Sequence, residues 1–225
     1  MTIGIAQREG TAGSAADAAA TYTSPRTGRT AIALVDGMGH DADIVRLAPM
    51  LAETAARVGA VRGALAGLLS AGLLVADPGP AAVGVLAVTR EDGQGIELVW
   101  AGDCRAYHWD GSVLQQLTTD HTLAAYLTTA ARGAGDVPVT ALADYVGVTL
   151  GLAVPATVPY VSVPAGVLLL TSDGVHDQVQ PDVVEALVRE LHADPQGLAE
   201  ALVAAAQPDA SGYRDDATAV VMPPT

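Results

Sequence analysis

Short runs of aliphatic and β-branched residues recur along the chain and predict a series of strands. These runs cover residues 2–6, 31–35, 82–89, 96–100, 105–109, 112–117, 158–163, 167–171 and 217–222. Asp110-Gly111 lies between two of them, and such a pair is typical of a two-residue hairpin turn. Several neighbouring strands are therefore expected to pair antiparallel.

Apolar residues at helical spacing predict fewer helices, which come in pairs. They cover about 41–58, 61–75, 120–132, 182–191 and 196–206, the first capped by Asp41 or Asp43 and the third beginning at Asp120 or Thr122. Consecutive hairpins argue against a strict alternation of strand and helix. Two antiparallel sheets packed together, with a helix pair on each outer face, accommodate this order and define an α+β fold.

The length of 225 residues suits one domain of ordinary core size, which we assign to residues 1–225. The single cysteine, Cys104, excludes an internal disulfide and fits a reducing compartment, so a cytoplasmic location is expected. No secretory leader is recognisable at the start of the sequence. The longest apolar stretch, residues 64–76, is shorter than the roughly 20 residues that span a bilayer, so no membrane span is expected.

The formal net charge is −14, and all 11 basic residues are arginines. Binding to nucleic acid depends on clustered positive charge that displaces counterions, and the sequence contains no such cluster. Nucleic acid is therefore not an expected partner.

Aspartates beside glycines follow three of the predicted strands. They are Asp36-Gly37, Gly102-Asp103 and Asp173-Gly174, and a further pair, Asp215-Asp216, precedes the last strand. Grouped carboxylates repel one another unless a cation neutralises them. Oxygen ligands select hard cations such as Mg²⁺, Mn²⁺ or Ca²⁺. A single Asp-Gly pair is more often a simple turn, as we assume for Asp110-Gly111, and the residues alone leave both interpretations open.

Four motifs in order resemble those of the metal-dependent type-2C protein phosphatases, the PPM family. AIALVDGMGH at residues 31–40 is similar to the bacterial Asp-Gly-Met-Gly-Gly signature, and GDCR within residues 97–122 is similar to a Gly-Asp-Ser-Arg strand. LLLTSDGVHD at 168–177 and YRDDATAVVM at 213–222 resemble the Ser-Asp-Gly and closing Asp-Asn-x-Thr elements. The resemblance covers roughly residues 30–222.

This resemblance implies a four-layer αββα sandwich that hydrolyses phosphoserine and phosphothreonine esters on proteins. Two core ions, Mn²⁺ or Mg²⁺, would be bridged by Asp36, with the Gly37 carbonyl on one ion and Asp173 and Asp215 on the other. Asp36, Asp173 and Asp215 are thereby the implied catalytic residues, and Asp103 matches a ligand of a third ion. The implied partner is a phosphorylated protein, the substrate of a cognate Ser/Thr kinase.

The sequence departs from the family pattern near its N-terminus. Only Asp17 remains of the family's Asn-Glu-Asp element, where it could orient a metal-bound water or serve as a surface turn residue. The expected phosphate-binding arginine would fall at Ala12, and either Arg8 or Arg26 could replace it from another position. These losses keep a second hypothesis open, a non-catalytic module that binds a phosphoprotein or a kinase.

Three further residues stand where the family has others or where chemistry is conceivable. His40 replaces a glycine and is either a surface residue at a helix start or a contributor to proton transfer. His121 is expected to be structural, and Cys104, at a serine position, is expected to pack in the core rather than act as a nucleophile. A phospho-receiver domain is disfavoured because it would need a lysine, and the chain has none.

Overall fold

A computed structural model describes residues 2–130, 138–143 and 145–224. Ten strands form two antiparallel five-stranded sheets. The strands are β1 Gly4–Arg8, β2 Ala18–Thr23, β3 Thr30–Gly37, β4 Ala82–Thr89, β5 Ile96–Ala101, β6 Arg105–Trp109, β7 Leu114–Gln116, β8 Tyr160–Val163, β9 Val167–Thr171 and β10 Ala217–Met222. One sheet has the order β1-β10-β9-β6-β7 and the other β2-β3-β4-β5-β8.

Six α-helices accompany the sheets among the described residues. They are α1 Ala42–Arg62, α2 Ala64–Gly72, α3 Leu123–Thr129, α4 Asp173–His176, α5 Pro181–Leu191 and α6 Pro195–Ala205. Helices α1 and α2 pack on the sheet that contains β3, and α5 and α6 pack on the sheet that contains β10. The expected α+β sandwich, with four layers in the order αββα, is confirmed.

Alternation of side chains along each strand builds three apolar layers. Ile32 and Leu34 face the opposite sheet, whereas Ala31, Ala33 and Val35 face α1. The layer between the sheets carries large aliphatic side chains. The layer under α1 is mainly alanine, which lets the helix approach the sheet closely. Strand β3, which contains Asp36-Gly37, and strand β9, which precedes Asp173-Gly174, each have a neighbouring strand on both sides in their sheets.

Most element boundaries agree with the sequence within a few residues, and β4, β6, β9 and β10 agree fully. The sequence missed β2, whose AAATYT run has few strong strand formers. The first helix continues past the predicted Val58 to Arg62, where Gly63 separates it from α2. The third helix is capped by Thr122 and ends at Thr129, and the rest of its predicted extent to residue 132 lies partly outside the described residues.

No helix in the described part of the chain is both long enough and apolar enough to cross a bilayer.

Candidate active site

A cleft of about 450 Å³ opens where the ends of the two sheets meet. Four segments that are distant in sequence contribute to it: the end of β3, the turn after β5, the start of α4 and the segment before β10. Its acidic and glycine lining includes Asp36, Gly37, Asp103, Asp173 and Asp215. The structure thus brings together five of the six residues that the sequence indicated as metal ligands.

Asp36 occupies the centre of this arrangement. It is the next-to-last residue of β3 and pairs with Val83 of β4, so its backbone is fixed by the sheet. Gly37 follows, and a Cβ there would lie 2.3 Å from Cγ1 of Ile44, so only glycine lets α1 pack this closely behind the cleft. The backbone N–H of Gly37 donates to the carbonyl of Ala16, which ties the strand end to the N-terminal segment.

The pKa of Asp36 reflects both its burial and the other carboxylates around it. Burial raises its pKa well above the ordinary value, and repulsion from other carboxylates raises it further. The contributing neighbours are Asp17, Asp173, Asp103 and Asp215. Burial, followed by repulsion from Asp215, also raises the pKa of Asp173. A divalent cation in the cleft would relieve this repulsion.

Asp17 lies behind the cleft rather than in its lining. Its side chain is 5% exposed and accepts a 2.7 Å hydrogen bond from Oγ of Ser172 at the end of β9. Burial raises the pKa of Asp17 to about 7, although the hydrogen bond from Ser172 acts in the opposite direction. Asp17 is therefore not the surface turn residue that the sequence allowed, and it links the two sheets through Ser172.

Asp103 is held by a turn that requires glycine. Gly102 has a φ of 101°, and a Cβ there would lie 2.2 Å from Val83. The N–H of Gly102 donates to Nδ1 of His121 over 3.1 Å, and the His121 ring stacks on Trp100. His121 therefore has the expected structural role, which is to fix this turn. Burial raises the pKa of Asp103 to about 6, and the nearby carboxylate of Asp120 acts in the same direction.

The adjacent aspartates 215 and 216 have different surroundings. Asp215 faces the cleft with about one-third of its side chain exposed. Asp216 is buried, and its two carboxylate oxygens accept from the N–H groups of Gly10 and Ala16 at 2.6 Å and 2.7 Å. Asp216 thus anchors the segment that leads to Asp17. The sequence signal for this role was the unusual second aspartate, but only the structure shows which groups it binds.

His40 lines the cleft, which favours the functional over the surface interpretation. Its Nδ1 lies 3.2 Å from the carbonyl of Ser14 and 3.7 Å from Oδ2 of Asp216. Its Nε2 lies 4.0 Å from Oδ1 of Asp215. Because a carbonyl can only accept, the contact with Ser14 requires the proton on Nδ1.

Neither suggested replacement for the missing arginine reaches the cleft. The guanidinium of Arg8 donates to the carbonyl of Ala206, on the outer helix layer. Arg26 is exposed in the turn after β2, at the opposite end from Ala18, roughly 17 Å away along the strand. The hypothesis that either residue holds the phosphate is not supported. No arginine is among the described residues that line the cleft.

Two other sequence expectations are supported by the structure. Cys104 is buried between the sheets, and burial raises the pKa of its thiol well above the ordinary value, so it packs in the core and does not serve as a nucleophile. At the Asp110-Gly111 hairpin, Gly111 has a φ of 101° and the Asp110 carboxylate accepts from the N–H groups of Ser112 and Val113. That aspartate is a turn residue far from the cleft.

The fit of this cleft to metal ions depends on donor chemistry rather than on a ready-made cluster. Within the described ranges, no three His, Cys, Asp or Glu side chains lie close enough together to hold an ion. The donors that line the cleft are nevertheless carboxylates, with the Gly37 carbonyl at the strand end. Burial, followed by mutual repulsion, raises the pKa values of Asp36 and Asp173. Oxygen donors of this kind fit Mn²⁺ or Mg²⁺ better than Zn²⁺.

Comparison of the whole structure with solved structures identifies the fold. MsPP, a PPM Ser-Thr phosphatase of Mycobacterium smegmatis, superposes with a TM-score of 0.75 at 23% identity over 99% of this chain and 98% of that protein. The chain has the PPM phosphatase fold. The serine/threonine phosphatase PstP of Mycobacterium tuberculosis gives a TM-score of 0.74 at 21% identity, covering 98% of this chain and 97% of that one.

A third structure with the PPM fold has a regulatory role in its own organism. PppA, a key regulatory component of the T6SS of Pseudomonas aeruginosa, superposes with a TM-score of 0.75 at 21% identity over 100% of this chain and 97% of that protein. Comparison of the sequence with models of protein families gave no match, and comparison with curated proteins gave none. The PPM fold of this chain is thus evident from its architecture at low sequence identity.

Proposed function

We propose that this chain is a metal-dependent protein phosphatase that hydrolyses phosphoserine and phosphothreonine esters. The observation that carries the proposal is the convergence of carboxylates from four separate segments around Asp36, whose pKa is raised well above the ordinary value by burial and then by repulsion from these neighbours. An apolar domain gains nothing in stability from such a cluster, because buried like charges repel. Functional sites are where perturbed carboxylates of this kind concentrate.

The proposed ligands are Asp36, the Gly37 carbonyl, Asp173 and Asp215, with Asp103 serving a third ion at the rim. Mn²⁺ or Mg²⁺ held by these residues would supply an activated water and counter-charge for the phosphoryl oxygens. The chain's own contribution is position. Sheet pairing fixes Asp36, and the turn held by His121 fixes Asp103.

Asp17 acts in this proposal through the residues around it. Its carboxylate, held by Ser172, lies behind the cleft and adds to the negative potential at Asp36. It would orient water bound between the ligands without entering the cleft. Residues 1–225 act as one phosphatase domain, and the substrate is a protein phosphorylated by a Ser/Thr kinase. We place the reaction in the cytoplasm, where the free thiol of Cys104 stays reduced.

A second candidate, a non-catalytic module that binds a phosphoprotein or a kinase, is favoured by one observation. The described lining of the cleft contains no arginine to hold a phosphate by paired hydrogen bonds. Against this, the aspartates proposed as metal ligands all line the cleft: Asp36, Asp103, Asp173 and Asp215. The same fold occurs in a protein described as a regulatory component, so fold alone does not decide between the two.

Metal-dependent turnover separates these candidates. The purified protein is stripped with a chelator and assayed on an aryl phosphate and on a phosphothreonine peptide, with Mn²⁺, Mg²⁺ or Zn²⁺ returned. We expect turnover to disappear on chelation and to return better with Mn²⁺ than with Zn²⁺. Full activity after exhaustive chelation would exclude the metal mechanism. Absence of turnover with every metal would favour the binding module.

A further inference from the structure

The cleft presents a problem of charge to any phosphate ester. Its described lining is dominated by carboxylates, which repel a phosphate dianion, and it contains no arginine. Phosphoryl oxygens bound in a partly buried site need hydrogen-bond donors as well as counter-charge. Such donors come from side chains of the lining that carry a proton on nitrogen or oxygen.

Two side chains with N–H or O–H groups qualify, His40 and Tyr213, and both flank Asp215. Nδ1 of His40 donates to the carbonyl of Ser14, and its Nε2 lies 4.0 Å from Oδ1 of Asp215. The backbone N–H groups of Gly37 and Met38 donate to the carbonyls of Ala16 and Ala81 and are likewise engaged. The phenolic O–H of Tyr213 faces the Asp215 carboxylate, and a cation bound by that carboxylate would leave the O–H free to donate to a ligand.

The loop before Tyr213 is built to hold it in place. A carboxylate oxygen of Asp209 accepts from the N–H groups of Ser211 and Tyr213 at 2.8 Å and 3.0 Å, and the carbonyl of Tyr213 accepts from the N–H of Asp209 at 2.8 Å. Gly212, with a φ of 85°, closes this tight turn. Tyr213 is thus fixed by hydrogen bonds at both its N–H and its carbonyl.

The residue after Tyr213 is also anchored. Arg214 exchanges hydrogen bonds with Thr11 and donates through Nη2 to the carbonyl of Glu9 over 2.8 Å. A side chain at position 213 consequently loses little freedom when a ligand binds, which favours affinity. The aromatic ring on this braced loop is 42% exposed, and its hydroxyl lies beside the Asp215 carboxylate at the cleft.

We propose that Tyr213 is a substrate-binding residue whose phenolic O–H donates a hydrogen bond to a phosphoryl oxygen of the ester. This assignment rests on the proposed phosphatase function and names a side chain that provides phosphate contact where the described lining of the cleft contains no arginine. It extends to inorganic phosphate, the product, because the same oxygens are presented.

The test uses Tyr213→Phe, which removes only the hydroxyl from a half-exposed ring. Tyr160→Phe is the matched control, because Tyr160 is an exposed tyrosine on β8 outside the cleft. The affinity of the Mn²⁺-loaded protein for inorganic phosphate is measured by calorimetry, and KM and kcat are measured on an aryl phosphate. The Mn²⁺ affinity and the melting temperature of each variant are measured in parallel.

We expect Tyr213→Phe to weaken phosphate binding and to raise KM by about tenfold, the lower end of the effect of one hydrogen bond to a charged acceptor. Its kcat, Mn²⁺ affinity and melting temperature should stay close to those of the parent, and Tyr160→Phe should match the parent throughout. Phosphate affinity that is unchanged in Tyr213→Phe would overturn the inference. So would an equal loss of Mn²⁺ affinity, because the phenol would then act by orienting Asp215.

The phosphate measurement keeps this inference separate from the proposed function. If the parent shows no turnover but binds phosphate, and Tyr213→Phe weakens that binding, the phosphatase proposal fails and the phosphate contact stands. If the parent binds no phosphate when loaded with Mn²⁺, the inference is overturned as well.

Discussion

The space between the two sheets and the cleft at their edge are built from the same strands but obey opposite rules. Between the sheets, Leu34 and Leu170 are fully buried in an apolar layer. Two residues after Leu34 and three residues after Leu170, Asp36 and Asp173 lie in a cleft where burial and mutual repulsion raise their pKa values. The apolar core therefore gives way to the acidic cleft within two or three residues at the end of β3 and of β9.

This contrast separates stability from chemistry. Burial of aliphatic side chains stabilises the sandwich, with each fully buried leucine contributing roughly 2 kcal/mol of transfer free energy. The carboxylates at the strand ends oppose folding while they are charged and unneutralised. A protein that binds cations there regains stability, which increases with the logarithm of the cation concentration once that concentration exceeds the dissociation constant. Substitutions that remove charge in the cleft are thus expected not to lower the stability of the fold. Substitutions that remove side-chain volume from the interior are expected to lower it.

The largest expected effect comes from removing the central charge. Asp36→Asn keeps the size of the side chain but removes the carboxylate that is repelled by four others. We expect Mn²⁺-dependent kcat to fall about a thousandfold or more, equivalent to ~4 kcal/mol in the barrier. The metal-free variant should melt no lower than the parent, because repulsion is relieved. Steady-state kinetics and thermal melting in chelator measure both quantities.

Asp110→Asn is the control for that variant, since Asp110 lies in an exposed hairpin turn and an amide oxygen can still accept the turn hydrogen bonds. Its turnover should match that of the parent. Near-normal turnover in Asp36→Asn would remove Asp36 from the site and with it the proposed mechanism.

The next effect in size tests the other side of the comparison. Leu34→Ala opens a cavity between the sheets, where Leu34 is 0% exposed. We expect a loss of about 3 kcal/mol in the free energy of unfolding, because both transfer energy and packing are lost. Denaturant unfolding in chelator measures it. If Leu34→Ala costs less than about 1 kcal/mol, the layer between the sheets is not the source of stability that we describe.

The sequence predicted the apolar framework well because strand periodicity and turn chemistry are local. The Asp110-Gly111 turn and strands such as β9 are determined by a few adjacent residues, and they agree with the structure. Strand β2 was missed because its alanines carry little strand preference, and its place depends on pairing with β3.

The candidate site was predictable only in part. Motif order indicated which aspartates lie together at the cleft. The hydrogen bonds from the N–H groups of residues 10 and 16 to Asp216 depend on contacts between distant segments, so the sequence could not predict them. Tyr213 carried no local signal, since its position follows from a turn organised by Asp209. Residues whose roles arise from tertiary hydrogen bonds lie beyond what spacing along one sequence can show.

The smallest expected effect concerns pH, and it isolates one charge. Burial raises the pKa of Asp17 to about 7 in the folded chain, from an ordinary value of 3.8. The folded state therefore holds a proton that the unfolded state releases, so this contribution to stability is complete below about pH 4 and is lost as the pH rises through about 7. Asp17→Asn cannot ionise, yet its amide oxygen can still accept from Ser172.

In chelator, Asp17→Asn should gain stability over the parent on going from pH 5 to pH 8, by on the order of 2 kcal/mol. Asp36 and Asp173 titrate in both proteins, and loss of the Asp17 charge lowers their pKa values in the variant, which changes the difference in the same direction. Denaturant unfolding of parent and variant at both pH values measures it. A difference that does not change with pH would mean that Asp17 is ionised in the metal-free fold. The raised pKa values would then be limited to the carboxylates that line the cleft and would not include that of Asp17, which lies behind it.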